Sequence, residues 1–496
     1  LWQAFQDNFS NLADAYKRCE LLRPSGMGLS YLGSIPPDRA EPSEGLTATV
    51  VWSCGLDSSR RLLGGSQVAA FRRGESVREQ TELRGQRGAY LLEADLSLAP
   101  GESREWWICA ETAQDAAAIV ALRRRLERNP PVPETRRAAV EEPAGLLRGR
   151  IGAGDGLQST ADERRCWRHF SNALYNSMRG GLPAQGHVLR RDALSAHVRR
   201  FNRPVWIRHR EWLESLPPEL PRSQGSSALR ERGDPDLVRL GREYLPLTFS
   251  RRHGDPSRPW NRFSIETQSP DGRTPRIAYQ GNWRDIFQNW EALLHAYPEF
   301  ADAVVARFLD ASTADGNNPY RIHERGFEWE EPEPDQPWSN IGYWGDHQIA
   351  YLLKLLEFRA AHAPDALLAE LGDETFVHAR VPYRIAGYDD MLARPRDTVA
   401  YDHAAHDDIA ARVRAVGADG QLLHLEDGSL VHASMLEKLL VPLLAKLSAF
   451  VPDGGIWMNT QRPEWNDANN ALVGDGLSMV PACHLRRHLV VCRELL

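Results

Sequence analysis

Tyr343-Trp344-Gly345-Asp346-His347-Gln348-Ile349-Ala350-Tyr351-Leu352-Leu353-Lys354-Leu355-Leu356 is the stretch that decides the fold. A polar, Gly-containing junction passes straight into a segment whose apolar positions Ile349, Leu352, Leu353 and Leu356 share one face at helical spacing. The same spacing recurs around it. Trp167–Met178, Ile286–His295, Ala301–Leu309, Ile349–Ala360 and Leu436–Phe450 all read as helices. Residues 161–496 are therefore expected to be mostly helical, with long aromatic-rich loops. Asp310–Gly345 is one such loop, and a loop that long inside a compact domain usually serves function.

Upstream the pattern changes. Thr47–Trp52, Gln67–Phe71, Ala89–Leu98 and Trp106–Cys109 are short and β-prone, separated by turn signals such as Ala99-Pro100-Gly101. They predict a β-sandwich over residues 1–111, opened by an amphipathic helical pattern in Phe5, Phe9, Leu12, Ala13 and Tyr16. Thr112–Asn129 aligns Ala116, Ile119, Val120, Leu122 and Leu126 in an apolar stripe over a run of Arg. Pro/Arg/Glu-rich chain follows over Pro130–Gly156, so residues 112–160 read as a helical linker. The expected class is β plus α multidomain.

The composition narrows the function. The 496 residues carry 60 Lys plus Arg against 67 Asp plus Glu, a net charge of −7. Nucleic-acid binding asks for a basic surplus instead, so no nucleic-acid partner is expected. No apolar run reaches the roughly 18 residues that cross a bilayer, so no membrane partner is expected either. Lys stands only at Lys17, Lys354, Lys438 and Lys446, so nearly every positive charge is Arg. Cys19, Cys54, Cys109, Cys166, Cys483 and Cys492 are sparse and none are in CxxC spacing. Reduced thiols and a cytoplasmic location are the expectation.

Three loop-to-helix junctions share a Trp two residues before an Asp. They are Trp283-Arg284-Asp285, Trp344-Gly345-Asp346 and Trp465-Asn466-Asp467. Sugar chemistry asks for this pairing: an indole covers the apolar face of a sugar ring, and carboxylates and Arg grip its hydroxyl rim. Trp260, Trp283, Trp290, Trp329, Trp338 and Trp344 crowd one stretch in the same way. Cleaving a glycosidic bond also needs a proton donor, and Asp467 can serve if burial and Glu464 raise its pKa. A helix N-terminus pulls the other way. Each Asp also has a plain reading as an N-cap, and each Trp as core. His253, His323 and His347 lack metal-ligand spacing, so no metal is expected.

The third junction, Glu464-Trp465-Asn466-Asp467 with Ala468, Asn469, Asn470 and Gly474, resembles the Asp-Trp-Asn-Asp motif of glycoside hydrolase family 94, the cellobiose, cellodextrin and chitobiose phosphorylases. Trp283-Arg284-Asp285-Ile286-Phe287-Gln288-Asn289 is similar to that family's Tyr-Arg-Asp-x-x-Gln-Asp. Gly345-Asp346-His347 is similar to its Asp-Asp-x-Leu-Trp-Leu segment. The resemblance implies an N-terminal β-sandwich, a helical linker and an (α/α)6 barrel. It implies inverting phosphorolysis of a gluco-oligosaccharide, with Asp467 as general acid and inorganic phosphate as co-substrate in place of any bound cofactor. Arg284, Asp285 and Trp465 would hold the sugar, with Trp283, Gln288, Trp344, Asp346, His347, Glu464 and Asn466 around it. Relatives are commonly homodimers.

Glu464 stands where the family has Asp, and Trp283 where it has Tyr. The chain stops at Leu496, soon after the third motif, and the expectation is a fragment or a divergent relative with an incomplete barrel. Two alternatives remain open. An inverting hydrolase would take its base from the acidic loop of Glu328, Glu330, Glu331, Glu333 and Asp335, which otherwise reads as a solvated loop. A non-catalytic carbohydrate-binding relative would keep the cleft alone.

Overall fold

The computed structural model describes residues 14, 16–33, 47–56, 59–250, 267, 269, 276–332, 348–460 and 472–496. They form a mixed α/β protein of helices and small antiparallel sheets. The chain divides into two compact units, Leu1–Leu147 and Arg148–Leu496. Phe5, Phe9, Leu12 and Ala13 of the expected N-terminal helix lie outside the described residues.

The first unit holds β1 (Lys17–Leu22), β2 (Met27–Leu32), β3 (Ala48–Cys54), β4 (Arg60–Gly64), β5 (Glu82–Arg84), β6 (Gly88–Glu93) and β7 (Trp107–Gln114). Five of them build one antiparallel sheet in the order β5-β1-β2-β3-β7, and β4 pairs with β6. Strand alternation sorts the side chains. Val50, Trp52 and Cys54 of β3 turn to one face, where Met27 meets Leu122 and Leu126 of helix α1 (Ala116–Arg128). On the other face Cys19, Leu21 and Leu83 pack against Leu63 and Tyr90 of the β4–β6 ribbon. Asp115 starts α1 by accepting the Ala118 N–H at 2.8 Å, an N-cap.

One expectation here is overturned. Gln67–Phe71 is not a strand; it runs from a 3-10 turn into the short helix Val68–Arg72. The Gln67 amide takes both backbone groups of Arg78, at 2.9 and 2.8 Å, so a side chain makes the ladder contacts that a strand would make. The Pro-rich stretch after residue 130 is ordered as helix α2 (Pro133–Ala153).

The second unit contains α3 (Glu163–Gly180), α4 (Arg191–Phe201), α5 (Arg203–Ser215), α6 (Pro235–Arg242), α7 (Trp283–Leu294), α8 (Ala301–Asp310), α9 (Leu353–His362), α10 (His403–Val416), α11 (Met435–Leu447) and α12 (Met479–Leu495). Nine of the ten residues of α8 are buried, all but Asp302, which places it at the centre. Phe308 of α8 meets Phe287 of α7 edge-on, with ring centroids 4.5 Å apart. Trp290 of α7 is fully buried, and its indole N–H donates to the Gly180 carbonyl at 2.7 Å. A second layer joins Ile349, Leu443, Ile456, Leu485 and Cys492.

Helix boundaries move from those expected. The first junction does not precede its helix: α7 begins at Trp283, so Asp285 sits in the first turn, and the helix extends three residues further back than the apolar periodicity starts. The helix read as Leu436–Phe450 ends at Leu447, and Phe450 pairs with Ile456 in a small sheet. The helix read from Ile349 opens as a π-helical turn, Gln348–Leu352, before α9. Among the described residues no helix is long and apolar enough to cross a membrane.

Phe308→Ala should lower the unfolding free energy by about 3–5 kcal/mol in a urea titration, the usual cost of emptying a buried aromatic site. A loss under about 1 kcal/mol would show that α8 is not the core of this unit.

Candidate functional site

Trp344, Asp346, His347, Glu464, Trp465, Asn466 and Asp467 lie outside the described residues. Trp283, Arg284 and Asp285 open α7, and Gln288 is exposed one turn later. The site is therefore approached through the elements that enter and leave each junction.

Those elements are connected. Strands β8 (Gln280–Asn282), β9 (Arg321–His323) and β10 (Gly326–Glu328) form one antiparallel sheet in which Asn282, Arg321 and Glu328 stand in line. The first junction leaves the end of β8. The chain toward the second leaves the end of β10, one strand away. Arg321, on the strand between them, donates its Nε–H to Glu328 at 2.7 Å. Next, Trp329 donates its indole N–H to the Arg380 carbonyl at 3.1 Å and meets the Tyr383 ring edge-on. The Tyr383 hydroxyl donates to the Glu330 carbonyl at 2.5 Å.

Tyr383 belongs to β11 (Tyr383–Ile385), which pairs with β12 (Val399–Tyr401). Just before β12, the hydroxyls of Thr398 and Thr460 are 2.7 Å apart, and Thr460 is the last described residue before the third junction. The return from that junction is fixed as well. The Gly474 N–H donates to the Met458 carbonyl at 2.7 Å, and its own carbonyl accepts the Trp457 indole at 2.9 Å. Gly474 has φ +86°, and a Cβ there would lie 2.1 Å from Pro395, so only Gly fits.

Helix direction adds a second tie. Lys354 of α9 pairs with Glu291 of α7 at 3.2 Å. One turn further along α9, Phe358 meets His295, the residue just past the end of α7, with ring centroids 5.2 Å apart. Matched four-residue steps mean that α7 and α9 run parallel. Their starting ends, at Trp283 and at the Gln348–Leu352 turn before α9, lie at the same end of the pair.

Beneath the β8–β10 sheet is a buried ionic cluster. Arg307 donates to Glu243 at 3.0 Å and to the His323 carbonyl at 2.9 Å. Arg239 donates to Glu243 at 2.6 Å and to Asp419 at 2.5 Å. Asn202 donates to Asp419 at 2.9 Å, and Gln421 to the Phe327 carbonyl at 2.8 Å. Gly417 lets this turn in: its φ is +120°, and a Cβ would come within 2.5 Å of the Arg200 carbonyl.

Burial and neighbouring charge set the protonation states. Burial pushes Glu243 up, but Arg239 and Arg307 outweigh it and hold the carboxyl down to about 2. Burial, then the Glu243 charge, drives Asp310 up to about 8. Asp310 also accepts the Val377 N–H at 2.9 Å. Burial lowers Lys438 to about 7. Its ammonium donates to the Ser312 carbonyl at 3.0 Å and to His378 Nδ1 at 2.9 Å. Burial and Lys438 together lower His378 to about 4, so it is neutral and turns Nε2 to Glu437 at 3.2 Å.

A neutral buried Asp resembles a catalytic acid, but the space decides otherwise. The cavity bounded by Arg239, Glu243, Arg307, Asp310 and Asp419 measures about 20 Å³. That is the size of one water, far below a sugar ring. The cluster positions the sheet above it.

The acidic loop divides. Glu328 is a strand residue paired with Arg321, and Glu330 is buried at 8% exposure, so neither is a solvated loop acid as expected. Glu331 is exposed, with His406 3.8 Å away. Glu333, Asp335, His253 and His347 are outside the described residues. His323 is occupied, accepting the Arg325 N–H at 3.1 Å and facing Glu328 at 3.5 Å. Among the described residues no three His, Cys, Asp or Glu side chains gather to hold a metal.

Sequence reasoning missed the cluster. The signal was present: Arg239 interrupts Leu237-Val238 and Leu240, Arg307 interrupts an otherwise apolar Ala303–Leu309, and Asp310 follows it directly. Charges inside a fully apolar helix must find partners. No family model matches this chain, and no curated protein matches it.

Asp310→Asn keeps the oxygen that accepts from Val377 and replaces the acid O–H with an amide N–H. In the wild type, a folded pKa of about 8, above the ordinary 3.8, removes stability as pH rises through that window. The variant lacks this loss. Its stability relative to wild type should therefore climb between pH 4 and pH 8, read by urea unfolding at both ends. A pH-independent difference would mean that Asp310 is ionised throughout.

Proposed function

We propose that this chain is a carbohydrate-active protein of the phosphorolytic type, acting on a gluco-oligosaccharide with inversion at the anomeric carbon. One observation carries the reading: the described elements that enter and leave all three Trp-x-Asp junctions are tied into one connected surface, with α7 and α9 starting at the same end. Junctions so tethered can face one hollow, and Trp with Asp is the chemistry that grips a sugar.

In this reading Asp467 protonates the departing glycosidic oxygen while inorganic phosphate attacks the anomeric carbon from the opposite side. Arg284, Asp285 and Trp465 hold the sugar. Trp283, Gln288, Trp344, Asp346, His347, Glu464 and Asn466 surround it. The smaller unit would be a β-sandwich and the larger an (α/α)6-type barrel. The six unpaired thiols fit a reducing, cytoplasmic setting. A homodimer and membership of glycoside hydrolase family 94 belong to the same proposal.

A second reading has an observation of its own. Glu330, just past β10 on the way to the second junction, is a buried carboxyl of the kind a hydrolase's base could be. An inverting hydrolase needs its two carboxyls about 6.5–9.5 Å apart.

Incubation with gluco-oligosaccharides, with and without inorganic phosphate, separates the two. Phosphorolysis yields a sugar 1-phosphate only when phosphate is added; cleavage indifferent to phosphate supports the hydrolase. Asp467→Asn should cut turnover by about 10²–10⁴ while leaving oligosaccharide affinity unchanged. Turnover within about tenfold of wild type would remove Asp467 from the role of acid.

A further inference from the structure

We infer that the surface groove between α4 and α5 is a binding site for a small molecule bearing a phosphoryl or diphosphoryl group. The groove measures about 680 Å³, inside the roughly 300–1,000 Å³ typical of ligand pockets. Arg191, Arg199, Arg200 and Arg203 line it, with Ser195 and Trp206.

Convergence distinguishes this cluster. Acids outnumber bases in the whole chain, 67 to 60, yet four arginines line this one groove. These four have no carboxylate partner among the described residues. The two acids on the rim, Asp192 and Glu214, are already taken, by Arg190 at 3.2 Å and Arg210 at 2.7 Å. Four positive charges are left facing one space.

Three of the four guanidiniums are also held in place. Arg191 donates to the Glu214 and Leu216 carbonyls, both at 3.1 Å, at the end of α5. Arg203 donates to the carbonyls of Arg414 and Ala415 at the end of α10. Arg199 lies over the Trp206 ring, 4.9 Å from its centroid, and the Trp206 indole is itself pinned by Ser195 at 3.0 Å. With its oxygen accepting that N–H, the Ser195 hydroxyl keeps its own proton to donate. Guanidiniums held in advance donate their remaining N–H groups to phosphate oxygens, and a phosphoryl group is the compact multi-anion that can reach several at once.

The groove is separate from the region proposed for catalysis. It lies on the side of α4 away from Leu194, Val198 and Phe201, and none of its lining residues flanks the three junctions. The site does not rest on the proposed reaction.

Calorimetric titration of the whole chain with pyrophosphate and, separately, with a hexose 1-phosphate tests it. Saturable one-to-one binding of either that is lost in the arginine variants below supports the site, whereas binding they leave intact belongs elsewhere; the tighter of the two probes so lost names the source of the phosphoryl group. The double variant Arg199→Ala/Arg200→Ala, whose side chains are exposed, should weaken binding by about tenfold or more with the thermal midpoint unchanged. Arg199→Gln/Arg200→Gln, which keeps side-chain bulk, should lose the same affinity. No saturable binding by wild type, or variants within about twofold of it, overturns the inference. So does a single-stranded oligonucleotide that binds more tightly than either probe and is lost in the same variants, which would make the groove a nucleic-acid contact.

Discussion

Arg307 and Glu243, with Arg239 and Asp419 beyond them, are the contact on which the larger unit depends. Four separate pieces of chain meet there: α6 and the residue after it, α8, the turn at 418–421, and the β9–β10 strands whose carbonyls Arg307 holds. Apolar packing alone would tolerate sliding of these elements past one another. Buried charges do not, because a guanidinium that loses its partner in the interior costs several kcal/mol. The cluster adds less to net stability than its number of contacts suggests, since each ion was first stripped of water. Its effect is on register. It sets where the β8–β10 sheet sits, and that sheet delivers both Asn282 and Glu328 to the same end.

From that end the order propagates outward through side-chain to backbone contacts more than through apolar burial. Trp329 on the Arg380 carbonyl, Tyr383 on the Glu330 carbonyl and Trp457 on the Gly474 carbonyl each fasten one loop to the next. An aromatic residue suits this role because one end packs and the other donates. Loops held this way keep a defined path while their faces stay free for chemistry.

The sequence made some of this plain and concealed the rest for identifiable reasons. Ile349, Leu352, Leu353 and Leu356 were legible as an inward face because burial obeys the helical period, and all four are fully buried. The alternation in β3 was legible for the same reason at period two. The first turn of α7 was not, because Trp283, Arg284 and Asp285 break the apolar pattern that marks a helix. Gln67–Phe71 misled because five residues are too few to tell one period from another. The ionic cluster was hidden because its members come from positions as far apart as Arg239 and Asp419. Pairing across such a separation leaves no periodic trace. The three junctions were visible as a recurring Trp-x-Asp, whereas the contacts joining their flanks, such as Thr398 with Thr460, became visible only in three dimensions.

Arginine fills places in this protein that lysine could not. Arg222 lies over Phe300 at 4.1 Å, Arg242 over Phe376 at 3.7 Å and Arg307 over Phe201 at 5.3 Å, each above a ring in the interior. Lysine remains only at Lys17, Lys354, Lys438 and Lys446, and Lys438 is buried. Amine-directed cross-linkers and acylating labels therefore have three side chains to reach in a chain of this size. Dicarbonyl reagents that seek guanidinium would instead meet targets on every face.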